Sequence, residues 1–90
     1  MKFSNLNFKS HPYYWESGIQ AKHFFDNGYG VSVVKFPGSY GYGLGLYESA
    51  VLKGTEEESE ICYDTEITSD VIGHQSEEEV EVLLHKVGNL

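Results

Sequence analysis

The spacing of apolar and polar residues changes character along this 90-residue chain, and the changes mark its elements. Ala21 to Phe25 and Tyr29 to Phe36 are two β-prone runs on either side of Asp26-Asn27-Gly28. Asn-Gly supplies the positive φ angles that tight turns need, so the pair is predicted to be a β-hairpin. Leu44 to Lys53 (LGLYESAVLK) is predicted as a third strand, apolar on both faces and therefore central and covered on each side. Lys2 to Phe8 alternates through Phe3, Leu6 and Phe8 and is read as a short strand or extended arm. It ends before His11-Pro12, where the proline disfavours helix at the preceding residue. Tyr13, Tyr14 and Trp15 then form an aromatic cluster, expected to lie across a sheet.

After Lys53 the pattern weakens. Gly54 to Glu60 is a polar linker, Ile61 to Asp64 a short fourth strand or edge segment, and Asp64 to Ile72 is expected to hold a turn of irregular helix. The period then becomes helical. Ser76 with Glu79 three residues on forms a capping box, acids fill the first turn, and Gly88 sits where the helix should stop. Val80, Leu83, Leu84 and Val87 fall at i, i+3, i+4 and i+7, a stripe that must pack on the sheet. The predicted fold is α+β: a three- to four-stranded antiparallel sheet with the C-terminal helix on one face and the aromatic N-terminal segment near the other.

Length allows one domain, residues 1–90. A 40% hydrophobic content with seven Tyr, five Phe and one Trp is that of a folded chain. Cys62 is the only cysteine, so no intramolecular disulfide can form, which points to the cytosol. No apolar run approaches the roughly 20 residues that span a bilayer, and residues 1–20 lack the apolar segment of a signal peptide.

Charge changes the picture more than composition does. The formal net charge is −8, unevenly placed: residues 1–53 carry +2 and residues 54–90 carry −10. Without a single arginine or a basic cluster, direct DNA or RNA binding is disfavoured. An acidic half is instead attracted to a basic surface such as the nucleic-acid groove of another protein. Negative charge explains Glu77-Glu78-Glu79 as helix N-terminal stabilisation. The run Glu56-Glu57-Glu58-Ser59-Glu60 gains nothing from self-repulsion in a loop, so it is a candidate for an electrostatic role.

The expected partner-binding residues are Glu56, Glu57, Glu58, Glu60, Glu66, Asp70, Glu78 and Glu81, with Val82 as an exposed valine among charges. Tyr40 and Tyr42, in the loop Pro37 to Gly43, offer a second surface, since aromatic residues anchor interfaces. That loop is glycine-rich, yet it matches neither the P-loop nor the dinucleotide-binding spacing and joins two strands, so it is read as a flexible connection. His11, His23, His74 and His85 lack ligand spacing, and no metal site or cofactor is called for. Cys62, between Glu60 and Asp64, is in the wrong field for a nucleophile and is expected to be buried. No catalytic residues are assigned.

The strings HFFDNGYGVSVVKFPGSYGY, GLYESAVLKG and ICYDTEITSDVIGHQSEEEVEVLL resemble a set of small proteins encoded by bacteriophages and prophages. Their pattern runs NGYGxSV, GLYExAVL and CYDTPITDDVxG before an acidic terminal helix. Here Glu66 stands in place of the proline, and Gly54 to Glu60 is read as an insertion. The resemblance implies a phage context and a bacterial host cytosol rather than a chemistry. Small acidic phage proteins often resemble inhibitors of bacterial defence, anti-CRISPR and anti-restriction proteins among them, some of which mimic nucleic acid. The expected function is therefore a non-catalytic inhibitor of a defence protein with a basic nucleic-acid-binding surface. The alternatives are a small-ligand or nucleotide-signal sequestering protein built on Tyr40 and Tyr42, and a phage structural or accessory protein. An open sheet edge makes homodimerisation a further expectation.

Overall fold

A computed structural model describes residues 1–14, 16–68 and 70–90. Its centre is the Asn-Gly hairpin. Gly28 takes φ +85°, and Asn27 fixes the turn by accepting from the Tyr29 N–H at 3.0 Å. The strands in chain order are β1 (Lys9–Ser10), β2 (Ile19–Phe24), β3 (Tyr29–Lys35), β4 (Tyr47–Gly54), β5 (Ser59–Ile61) and β6 (Ile72–Gln75). They form one antiparallel sheet in the order β1-β2-β3-β4-β5, with β6 also paired to β4. β5 takes Leu52 to Gly54 of β4 and β6 takes the Tyr47 to Ser49 end, so the two short strands share one side of β4.

Register sets the faces. Ala21, Val33 and Ser49 align across the sheet, as do His23, Val31 and Val51, and this face carries the helix α1 (Glu77–Gly88). Val31, Val33, Val51 and Cys62 meet Val80, Leu83, Leu84 and Val87, all buried, while Phe3, Phe8, Tyr47, Ile67 and Ile72 close the margins. The opposite face is also buried at Ser32, Val34, Ala50 and Leu52. That two-sided burial is why Tyr29–Lys35 and Tyr47–Gly54 look apolar on both faces in the sequence.

Helix α1 begins at Ser76, whose hydroxyl accepts from the Glu79 N–H at 3.2 Å while Glu79 Oε1 accepts from the Ser76 N–H at 3.1 Å. This is the expected capping box. At its other end the Val87 carbonyl accepts from Asn27 Nδ2 at 2.9 Å, tying the helix to the hairpin turn.

The α+β architecture agrees with expectation, but the sheet has more strands than the three or four predicted. Lys2 to Phe8 is not a strand: residues Phe3–Asn5 form a 3-10 turn and pairing begins at Lys9. The arm runs on the helix side, where Phe3 N–H donates to Glu81 and the Phe3, Phe8 and Tyr47 rings meet at 5.1–5.7 Å. The fourth strand starts earlier than predicted, at Ser59. The described residues between Asp64 and Val71 are non-helical, and the unforeseen β6 follows at Ile72. In the aromatic cluster Tyr14 stacks on Phe36 at 4.5 Å and Tyr13 is exposed; Trp15 lies outside the described residues.

Candidate interaction surface

The Pro37 to Leu46 connection, expected as a flexible loop, forms a platform held by its own hydrogen bonds. Ser39, buried, donates from its hydroxyl to the Phe36 carbonyl at 2.8 Å and accepts from the Phe36 N–H at 3.0 Å. Tyr42–Leu44 form a 3-10 turn between Gly41 and Gly45, both left-handed. The platform sits on β6: the His74 N–H donates to the Tyr40 carbonyl at 3.1 Å. Two glycines permit this approach, since a Cβ on Gly41 would lie 2.9 Å from His74 Cα and one on Gly73 would lie 2.4 Å from Tyr40 Cβ. His74 itself is left-handed at φ 53°, a strained conformation for a side chain with a Cβ. Tyr40 is 60% exposed and Leu44 75%, with Tyr42 less so.

Two residues beyond His74 stands the Ser76 N-cap, followed by Glu77, Glu78 and Glu79, all exposed. The fold thus brings Tyr40, Tyr42 and the acidic start of α1, including Glu78, to one end of the molecule. Tyr47 lies at this end too. Partial burial, and then the Glu77 carboxylate, raise its hydroxyl pKa above the usual value.

The other acids do not extend that surface into one continuous patch. Glu56, Glu57 and Glu58 belong to the β4–β5 turn, and the Gly54 N–H donates to the Gly28 carbonyl beside the hairpin turn to which the far end of α1 is tied. That end and the helix N-terminus are about 18 Å apart along a twelve-residue helix. Lysines also answer much of the run. Glu56 shares a cleft of about 390 Å³ with Lys9, Lys22 and Gln20. Glu60 pairs across the strands with Lys53, which lines a cleft with Glu58 and Glu60.

Glu81 is not part of an acidic face: its Oε1 accepts from the Phe3 N–H at 2.7 Å and holds the N-terminal arm to α1. Asp70 closes its own turn, accepting from the Val71 N–H at 2.7 Å. Glu66 is exposed in the adjoining bend. Val82 is 54% exposed, as its helical phase requires, and faces a groove beside Ile67 and Ile72. Cys62 is buried and its thiol donates to Asp64 Oδ1 at 2.8 Å. Among the described residues no group of three His, Cys, Asp or Glu side chains is placed to hold a metal ion.

Sequence reasoning missed Leu44, His74 and Gln75. An apolar Leu44 flanked by glycines was the one local signal of an exposed anchor; His74 and Gln75 gave none, because β6 itself was unrecognised. No helix is long and apolar enough to cross a membrane among the described residues. No protein-family model, curated protein or solved structure matches the chain.

Proposed function

We propose that this chain is a non-catalytic binding protein that inhibits a bacterial defence protein, of the anti-CRISPR or anti-restriction kind, by occupying its basic nucleic-acid-binding surface in the host cytosol. One observation carries the reading: the Tyr40 platform is bonded to β6 at His74, two residues before the Ser76 cap that opens the exposed Glu77-Glu78-Glu79 turn. Exposed aromatic rings together with exposed carboxylates suit a surface of lysine and arginine, since each ring face attracts a cation and each carboxylate a hydrogen-bonding partner. The net charge of −8 adds long-range attraction to such a surface. The phage-like sequence pattern supplies the context.

The β4–β5 acids have a smaller part in this reading, because Glu56, Glu58 and Glu60 share clefts with lysines of the same chain. Two variant sets separate the surfaces in a pull-down from lysate of a bacterial host with active CRISPR and restriction systems. Tyr40→Ala with Tyr42→Ala and Glu78→Lys should abolish capture of a basic partner. Reversal of Glu56, Glu57, Glu58 and Glu60 to Lys should weaken it and reduce its salt sensitivity. Capture that survives the first set and vanishes with the second would place the interface on the hairpin and overturn the assignment.

A second reading, a binder of small polar anions, is favoured by the cleft that Lys9, Lys22 and Gln20 line, where two lysines face the single carboxylate of Glu56. It moves the ligand site away from Tyr40 and Tyr42, where sequence had put it. Thermal stabilisation by nucleotides, lost in Lys22→Ala, is its test.

A further inference from the structure

Beside α1 runs a groove of about 290 Å³ whose walls are Ile67, Ile72, Val82 and Leu83. Gln75 also lines it and is only 6% exposed, yet its Oε1 is buried without a hydrogen-bond partner. Buried acceptors are almost always satisfied, so an orphan on a side chain that lines a groove asks for a donor from outside, reached when the amide turns toward the groove. Glu79 stands on the rim. One of its carboxylate oxygens accepts from the Ser76 N–H, and the other has no part in the capping box. Lys86, two helical turns from Glu79, marks the far end.

From this geometry we infer that the groove takes one arginine side chain presented by a basic protein partner. An arginine stem is apolar and matches the Val82–Leu83 wall, and its guanidinium carries several donors in one plane, able to serve Gln75 Oε1 and Glu79 together. The compact, strongly hydrated ammonium of lysine cannot reach two acceptors in this fixed way, and an indole has one donor and no charge to meet Glu79. Placing the guanidinium at the Glu79 end keeps it about 10 Å from the helix position of Lys86. The inference rests on the reading of a basic partner proposed above and names the side chain that this partner inserts.

The test uses the full chain and small probes, so it does not depend on which partner is captured. In a ¹⁵N-resolved NMR titration, N-acetyl-arginine methylamide should shift the Gln75 side-chain amide and the Val82 and Leu83 backbone amides. The lysine, tryptophan and glutamate analogues should not. Gln75→Leu removes the orphan acceptor while filling the same space; it should melt no lower than the wild type and bind the arginine probe about tenfold more weakly, the worth of one charge-assisted hydrogen bond. Glu79→Gln keeps a side chain able to complete the capping box and should weaken binding, most at low salt, leaving the remaining binding less sensitive to salt. Equal shifts from the lysine or tryptophan analogue, a preference for glutamate, or undiminished arginine binding in both variants would overturn the inference. Arginine binding here without capture of a basic partner would instead count against the proposed function alone.

Discussion

At the scale of single residues, Cys62 and Asp64 show how much a two-residue spacing can do. The thiol hydrogen bond, opposed by desolvation and aided by a backbone bond and the charge of Lys53, holds the Asp64 carboxyl below its usual pKa. A lowered folded-state pKa stabilises the fold above the ordinary carboxylate value, and that contribution disappears as pH falls through the lowered one. Cys62→Ala should therefore bring the Asp64 midpoint, followed by carboxyl NMR, up toward the ordinary carboxylate value; an unmoved midpoint would assign the effect to the backbone bond and Lys53. Tyr47 has the opposite sign. Its raised pKa favours the protonated ring in the fold, so stability is lost as pH rises beyond about 10, and Tyr47→Phe should flatten that alkaline decline in a denaturation series. Burial of Cys62 was legible from its apolar, acidic-flanked setting. The orphan at Gln75 was not, since nothing local distinguishes a buried glutamine from an exposed one.

Elements divide in the same way. The hairpin and α1 were legible because their signals are local: Asn27-Gly28 sets one turn, and Ser76 with Glu79 caps the helix at both partners. Ser76→Ala should accordingly cost about 1 kcal/mol in chemical denaturation. Leu84→Ala, at a fully buried position, should cost about 2–5 kcal/mol. β1 and β6 were illegible because neither carries a strand pattern. Lys9–Ser10 is two polar residues, and Ile72–Gln75 contains a glycine and a left-handed histidine. Both are strands because β2 and β4 offer edges to pair with, and β6 further because the Tyr40 platform clamps His74. Gly73→Ala drives a methyl into Tyr40 and should displace the platform, lowering partner capture with little effect on the far hairpin, as amide chemical shifts would report.

For the whole molecule, sheet order follows sequence order from β1 to β5. An imbalance of charge along the chain therefore becomes an imbalance across the sheet, with Lys9 and Lys22 on the β1–β2 side and Glu60 on β5. Overall acidity was legible; its division was not. Folding returns Glu56 toward lysines and spends Glu81 on the N-terminal arm, and it ties the Tyr40 platform to His74, just before α1 begins. Those pairings join residues far apart in sequence, beyond the reach of any local pattern.

The most direct measurement is competition. The captured basic partner, immobilised, is titrated with this protein in the absence and presence of saturating duplex DNA or its own guide RNA, at low and high salt. Occupation of the nucleic-acid surface predicts mutual exclusion, with apparent affinity falling in proportion to bound nucleic acid and falling again as salt rises. A ternary complex that forms with unchanged affinity would contradict the account, because protein and nucleic acid would then hold separate sites.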